Sequence, residues 1–340
     1  MSVVAAALVV VLLAALAALV GSSSSRASTQ AQKATYLATL VSDIGKFNDR
    51  SFNQSQKEGL IRARNKLHVK IKALQSNSPS DYIPNLTSGV RAKSNIIISA
   101  GFLLAGDTNT VASKYPKIHF AITDYSAKDD PFKGRKNVMG LTYAANESGC
   151  LVGVLAAKMA KKMGRKTIGA VGGIKIPPVD IWIAGYQFCA KKAVPGTQVL
   201  VDYSQDFVAA DKCKTLAENQ IAKGAKVLFQ VAGGCGLGTL KAAAAAKIWG
   251  IGVDKDQYRD AKRVMTSGVK RVDNGVYQAI QKAQSGKGFK GGGNLLFNLK
   301  NGGMSVGKIN PSVPKAYITL MNTYKTNIIK KKLHVPTKLS

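Results

Sequence analysis

Short apolar runs alternate with longer segments of helical periodicity from residue 36 onward. The first such runs are 36–42 (YLATLVS), 69–74, 95–100 and 118–123. The segments between them, 51–66, 80–92 and 105–114, carry apolar residues at three- and four-residue spacing. Short buried strands that alternate with helices are typical of parallel α/β sheets. The first third of the chain therefore predicts an α/β unit.

This alternation occurs twice along the chain. The first series ends with a strand at 137–143, and a long helix over 146–163 leads into a second series that begins at 167–173 (TIGAVGG) and ends at 249–253. Two such series predict two doubly wound parallel-sheet lobes. The remaining segments are too few for a third domain, and we expect them to cross back and complete both lobes. The predicted N-terminal lobe is 36–145 plus about 265–300, and the C-terminal lobe is 146–264 plus about 301–330.

The N-terminal segment has a different pattern. Residues 3–20 form an unbroken apolar run, followed by Gly21 and a serine tract. We interpret 1–28 as a signal peptide or N-terminal anchor and 29–35 as a linker. Ser22 stands where a lipoprotein signal would carry its lipidated cysteine, so no lipid anchor is predicted. The expected location is extracytoplasmic, in the cell envelope, either secreted or held by this segment.

The charge balance is strongly basic. The chain has 49 Lys and Arg against 18 Asp and Glu, a formal net charge of +31. Only ten of the basic residues are arginines, whereas nucleic-acid readers favour arginine for bidentate contacts. We therefore expect no nucleic-acid partner. We interpret these charges as a solvated basic coat, which could face an acidic medium or an anionic cell envelope.

The four cysteines predict disulfides rather than a metal site. None forms a C-x-x-C pair, and the three histidines are far from them in sequence. Two disulfides in an exported protein allow three pairings. The predicted topology favours Cys213 with Cys235 and Cys150 with Cys189.

Carboxylates follow three of the predicted strands. Asp43, Asp124 and Asp254 each come directly after an apolar run. In open α/β sheets, ligands bind at the carboxyl ends of the strands, and two facing lobes would enclose a small molecule between them. Asp49 or Ser51 could simply cap the helix that follows, but a cap does not explain Asp43.

Aromatic residues, glycines and a lysine accompany these carboxylates. Phe52 and Asn53 lie in a first helical turn, Phe207 precedes a helix, and Lys270 is placed at the start of the helix over 270–284. Aromatic side chains suit stacking on a flat heterocycle, and carboxylates with a lysine suit a vicinal diol. This set predicts a nucleoside without a phosphate.

Two other chemistries fit the sequence less well. The glycine run 233–238 is followed by Thr239, and the spacing Gly234-x-Gly236-x-x-Thr239 lacks the third glycine of the dinucleotide fingerprint. No histidine lies in a candidate site loop, so a histidine-based nucleophile triad is not expected. We predict no cofactor, no metal and no enzymatic activity, although paired carboxylates leave nucleoside hydrolysis open.

The stretch 41–55 (VSDIGKFNDRSFNQS) resembles the basic membrane protein family, the purine-nucleoside-type substrate-binding proteins of ABC importers. The resemblance continues through 120–124 (FAITD), 232–236 (AGGCG), 251–257 (IGVDKDQ) and 266–273 (TSGVKRVD), and it covers about 36–330. It implies a type I periplasmic-binding-protein fold with two lobes and a hinge.

The resemblance also implies residue roles. In that family Asp43 would contact the base, Phe52 and Phe207 would stack on it, and Asp254 with Lys270 would hold the ribose. The complete predicted ligand-binding set is Asp43, Asn48, Phe52, Asn53, Asp124, Phe207, Gly234, Asp254 and Lys270.

The predicted function is therefore that of an extracytoplasmic solute-binding protein of an ABC importer. It would capture a nucleoside, expected to be a purine nucleoside, and deliver it to a membrane permease as a monomer. The alternatives are a ligand-sensing subunit for a signalling receptor, an extracytoplasmic nucleoside hydrolase and an adhesin for anionic surfaces.

Overall fold

The computed structural model describes residues 36–339, so the predicted signal or anchor (1–28) and linker (29–35) lie outside the described residues. Tyr36–Ser340 forms one compact unit. Within the described range, no helix has the length and apolar character that crossing a membrane requires.

The first lobe is built on a six-stranded parallel sheet in the order β11-β5-β4-β3-β1-β2. Its strands, numbered in chain order, are β1 (Leu37–Ser42), β2 (Lys70–Leu74), β3 (Ile96–Ala100), β4 (His119–Thr123), β5 (Val138–Tyr143) and β11 (Asn294–Phe297). Its helices are α1 (Phe52–Leu67), α2 (Tyr82–Arg91), α3 (Ala105–Lys114) and α8 (Val272–Gln284). The strand order reverses beside β1, which creates a crevice at the carboxyl ends of β1 and β3.

The second lobe repeats this arrangement, with strand order β12-β10-β9-β8-β6-β7. Its strands are β6 (Thr167–Gly172), β7 (Gln198–Tyr203), β8 (Val227–Val231), β9 (Trp249–Asp254), β10 (Val264–Lys270) and β12 (Met304–Val306), of which β12 alone among these runs antiparallel to its neighbour. Its helices are α4 (Ala145–Lys162), α5 (Pro177–Ala193), α6 (Ala210–Ala222), α7 (Gly236–Ala245) and α9 (Lys315–Ile329). The predicted α/β fold with two doubly wound lobes is confirmed.

The chain crosses between the lobes after β5, after β10 and after β11. The second crossing corrects one expected boundary. Residues from about 265 were expected to belong to the N-terminal lobe, but 264–270 is a strand of the second sheet. Lys270 accordingly ends a strand instead of opening a helix. Thr266, Ser267 and Gly268 interrupt the apolar pattern, so pairing with β9, not hydrophobic periodicity, defines this strand.

Two disulfides stabilise the second lobe, and both predicted pairings are confirmed. Cys150 on α4 bonds Cys189 on α5, and Cys213 on α6 bonds Cys235 at the start of α7. The α4–α5 contact is close because glycine lies in it: a Cβ atom at Gly153 would lie 3.0 Å from the Cα atom of Tyr186. The core strands are buried on both faces, as their continuous apolar sequences indicate.

Candidate functional site

A cavity lies between the lobes, at the carboxyl ends of strands from both sheets. Seven of the nine predicted ligand-binding residues line it. They are Asp43, Phe52, Asn53, Asp124, Phe207, Asp254 and Lys270. Because both lobes contribute, the cavity can enclose a small molecule on two sides.

Asp43 lies at the tip of β1, and one of its two carboxylate oxygens is already engaged. Its Oδ1 accepts hydrogen bonds from the backbone N–H of Gly45 at 2.8 Å and from the side-chain amide of Asn53 at 2.6 Å. A Cβ atom at Gly45 would lie 2.7 Å from Asn53 Nδ2, so this approach requires glycine. Within the described residues Oδ2 accepts no hydrogen bond. Burial raises the pKa of Asp43 to about 6, and the two hydrogen bonds oppose that rise.

Asn53, which lines the cavity, carries a second acceptor without a partner within residues 36–339. Its side chain is 2% exposed, and its Nδ2 atom donates to Asp43. Its Oδ1 atom is buried and has no hydrogen-bond partner among the described residues. A buried acceptor without a partner is costly.

Asp49 performs the capping role that the sequence allowed. Its carboxylate accepts hydrogen bonds from the backbone N–H groups of Ser51 at 2.9 Å, Asn53 at 2.8 Å and Gln54 at 3.0 Å. Burial raises the pKa of Asp49 to about 7. The Ser51 hydroxyl is used differently: it donates to Asp254 Oδ2 at 2.7 Å and so joins the two lobes.

Lys270 lies between carboxylates from both lobes. Its Nζ atom is 2.7 Å from Asp124 Oδ2 and 3.9 Å from Asp254 Oδ1. The ammonium also lies 4.7 Å from the centre of the Phe52 ring. Burial raises the pKa of Asp254, whereas the charge of Lys270 and the hydrogen bond from Ser51 lower it. Lys270, Asp124 and Asp254 therefore compensate one another's charges and still offer hydrogen bonds to a ligand inside the cavity.

Two of these carboxylates occupy strained backbone. Asp124 has φ 63° and Asp254 has φ 64°, the left-handed region that non-glycine residues rarely adopt. Each lies where its strand ends and the chain turns away. Strain of this kind persists where the surrounding structure fixes the conformation, and it clusters at binding sites.

Aromatic and aliphatic side chains form the remaining walls. Phe52 and Phe207 were predicted, but Trp182, Phe102 and Val179 were not. Trp182 is 1% exposed and lies in the second turn of α5, well beyond the tip of β6. Trp182 was not predicted, because the prediction considered residues that directly follow strands, and a loop and a whole helical turn separate Trp182 from β6. The sequence signal for Trp182 is an aromatic residue that follows Pro177 and Pro178, two prolines typical of a helix start, by four residues.

Two predicted residues do not line the cavity. Asn48 is exposed on the loop between β1 and α1. Gly234 lies beside the cavity-lining Gly233, and a Cβ atom there would be 3.6 Å from the Cα atom of Asp49 in the other lobe. Gly234 is thus placed at the lobe–lobe contact.

The cavity and the protein as a whole differ in charge. Its described lining contains four aspartates and one lysine, although the chain carries a formal charge of +31. Acidic linings repel phosphate and attract N–H and O–H donors. The residues from 36 to 339 include no group of three or more His, Cys, Asp or Glu side chains that could hold a metal ion.

Two lobes joined by three crossings, with a cavity at the facing strand ends, define the type I periplasmic-binding-protein fold. Over residues 37–338 the chain matches the family described as "ABC transporter substrate-binding protein PnrA-like" (Bmp). The chain belongs to this family of substrate-binding proteins.

Two relatives agree with this membership, and a solved structure agrees with the fold. The chain is 35% identical over 334 residues to the "ABC transporter nucleoside-binding protein BmpA" of Lactococcus lactis, covering 90% of each chain. It is 31% identical to the "CD4+ T-cell-stimulating antigen" of Listeria monocytogenes, covering 89% of this chain and 88% of that one. A solute-binding protein of an ABC transporter system from Aeropyrum pernix K1 superposes with TM-score 0.80 at 24% identity, covering 90% and 94% of the two chains. The last comparison supports the fold alone.

Proposed function

We propose that this protein binds a purine nucleoside in the interlobe cavity and delivers it to the permease of an ABC importer. The observation that carries the proposal is the cavity itself, which combines aromatic walls with an acidic polar lining contributed by both lobes. Such a lining accepts hydrogen bonds at two ends of a flat, uncharged ligand. Substrate-binding proteins of this class meet their ligands outside the cytoplasmic membrane, so the proposed site of action is extracytoplasmic. Action as a monomer stays a prediction.

The base would lie at the Asp43 end. The free oxygens there, Asp43 Oδ2 and Asn53 Oδ1, are both acceptors. They complement a ligand edge that carries N–H donors, such as the ring N–H and exocyclic amino groups of a purine. Phe52 and Phe207, on the first and second lobes, supply the faces on which the ring stacks.

The ribose would lie at the Lys270 end. Asp254 accepts hydrogen bonds from hydroxyl groups, and the Lys270 ammonium donates to hydroxyl oxygens. Asp124 and Asp254 leave no excess positive charge at this end, which disfavours a phosphate. The name of the Lactococcus lactis relative, a nucleoside-binding protein, supports the same ligand class.

Calorimetry on residues 29–340 tests the proposal. The panel contains adenosine, guanosine, inosine, cytidine and thymidine, with ribose, free adenine and adenosine monophosphate as controls. We expect micromolar or tighter binding of at least one purine nucleoside and at least tenfold weaker binding of its monophosphate. Absence of binding by every nucleoside would contradict the ligand assignment.

The same samples distinguish the hydrolase alternative. Chromatography of the incubated mixture is expected to return the nucleoside intact. Release of free base in proportion to protein concentration would instead favour hydrolysis by the carboxylates of the cavity.

Binding should strengthen as the pH rises through the pKa of Asp43. An N–H donor hydrogen-bonds the ionised carboxylate, and the pKa of about 6 means that part of this group is protonated below neutrality. We expect affinity to fall by up to about tenfold per pH unit below about 6 and to level off above about 7. Asp49, Asp124, Asp254 and Tyr82 lie close enough to influence this titration.

Asp43→Asn is the control for this pH profile. It keeps the shape of the side chain and leaves the other acids in place, so the difference between the two profiles reports Asp43. Parallel profiles for the two proteins would show that Asp43 does not contact the ligand. Calorimetry between about pH 5 and about pH 8 provides the measurement.

A further inference from the structure

The acidic residues are distributed unevenly along the chain. Residues 274–340 contain eleven lysines and no Asp or Glu, and residues 148–201 contain eight basic residues and a single acid, Asp180. These two stretches supply α5, α9, most of α4 and the C-terminal tail (330–339). Within the second lobe, the excess positive charge is therefore concentrated in these elements.

These elements are neighbours in the structure. Helix α4 packs against both α5 and α9, and the tail contacts them where Asn146 Nδ2 donates to the Val335 carbonyl at 2.7 Å. A surface groove is formed by residues of α5 together with Pro336 and Lys338 of the tail. We call the exposed surface of these elements, together with the turn that follows α4, the basic face. Its exposed cationic residues are Lys161, Lys162, Arg165, Lys166, Lys191, Lys192, Lys315, Lys330, Lys331, Lys332 and Lys338.

The charges on the basic face are not compensated. Within residues 36–339, none of its exposed cationic residues lies within ion-pair distance of a carboxylate. The two acids of α4 and α5 are engaged elsewhere: Glu147 accepts from the Leu299 N–H, and Asp180 accepts from the Tyr203 hydroxyl.

The opposite side of the same lobe behaves differently. Helices α6 and α7 pack against each other, and near α6 the lysines have acidic partners. Lys212 pairs with Asp206 at 3.0 Å and Lys214 with Glu218 at 3.7 Å. The acids of these two pairs are thus placed on or beside α6 and not on the basic face. Uncompensated like charges repel one another, so the basic face is best stabilised by an external anionic surface.

We propose that the basic face docks on the anionic lipid headgroups of a membrane. Its cations are lysines with the exception of Arg165, and lysine is a flexible point charge that suits a mobile, disordered array of anions. Fifteen residues separate the apolar run 3–20 from Tyr36, so a retained run would hold the start of the first lobe within about 50 Å of a bilayer. None of the exposed cations lines the interlobe cavity, so docking leaves the ligand site accessible.

Vesicle sedimentation tests the proposal on residues 29–340, which contain the whole compact unit. The probes are phosphatidylcholine vesicles with and without about a third phosphatidylglycerol, at low salt and at about 0.5 M salt. The test variant is Lys191→Glu, Lys192→Glu and Lys338→Glu combined. The control variant is Lys66→Glu, Lys114→Glu and Lys117→Glu combined, which changes the net charge equally through exposed lysines of the first lobe.

We expect the unmodified protein to bind only the anionic vesicles and to release them at high salt. Since each lysine near the surface contributes roughly fivefold, the test variant should lose tenfold or more of this binding, and the control variant about twofold or less. Thermal melting and ligand affinity should be unchanged in both variants. An equal loss in the two variants, or equal binding to neutral vesicles, would overturn the proposal. If the protein binds a heparin or duplex-DNA column through the basic face but does not bind vesicles, the proposal is wrong and the partner is an anionic polymer.

Discussion

Replacing Asp254 with alanine is expected to weaken nucleoside binding by roughly 30- to 150-fold, which corresponds to about 2–3 kcal/mol. The reason is that this buried carboxylate is the partner available to the ribose hydroxyls, and it also holds Ser51 of the other lobe at 2.7 Å. Its loss removes a charge-assisted contact and one of the contacts that close the cavity. Calorimetry with the best purine nucleoside of the panel gives the measurement.

The ligand-free fold should tolerate this change. Lys270 keeps Asp124 at 2.7 Å as its partner, so no buried cation is left alone. Thermal melting of the free protein is therefore expected to shift by a few degrees at most. Asp129→Ala, an exposed aspartate outside the cavity, is the matched control and should bind normally. Unchanged affinity in Asp254→Ala would show that the ribose lies elsewhere.

Lys270→Met is expected to reduce the free energy of unfolding by about 3–5 kcal/mol, because it leaves two buried carboxylates without their cation. Asp124 and Asp254 have side-chain exposures of 9% and 8%, so water compensates them poorly in the closed cavity. Urea unfolding monitored by Trp fluorescence or circular dichroism gives the measurement. Lys300→Met, an exposed lysine, serves as control and should unfold normally.

The pH dependence of this loss has a definite sign. Burial raises the pKa of Asp254 in the folded state, and removing Lys270 removes the charge that opposes this rise. The folded variant therefore binds protons more tightly than the unfolded chain, and its stability increases as the pH falls. The deficit should narrow between about pH 7 and about pH 5. Adding Asp124→Asn to Lys270→Met should restore part of the lost free energy of unfolding. A loss that changes neither with pH nor with Asp124→Asn would show that unpaired carboxylates are not its cause.

Hydrophobic periodicity was sufficient to predict the lobes, because parallel strands buried on both faces are continuous apolar runs. Strand β3, with three consecutive isoleucines, is the clearest example. Strand β10 escaped detection because its centre is Thr266, Ser267 and Gly268, and its neighbours in the sheet, not its own composition, make it a strand. The consequence was a misplaced crossing and a wrong structural setting for Lys270.

The site was partly predictable for a topological reason. Residues that follow parallel strands gather at one edge of a sheet, so Asp43, Asp124 and Asp254 converge although more than 200 residues separate the first from the last. No comparable rule says which residue of a helix reaches the cavity, so Trp182 was not predicted. Asn48 was included because it lies in the resembling motif, but no rule of topology directs its side chain inward, and it is exposed.

The Cys213–Cys235 disulfide links the maturation of the protein to the place where it works. Cys235 follows Gly233 and Gly234 directly, and its backbone N–H donates to the Phe207 carbonyl at 3.0 Å, so the bond constrains the loop that forms one wall of the cavity. Thiols stay reduced in the cytoplasm and are oxidised outside it. A newly made chain would thus lack this constraint until after export. On the proposed function, the reduced chain would bind its ligand less tightly before export than the oxidised chain does after it.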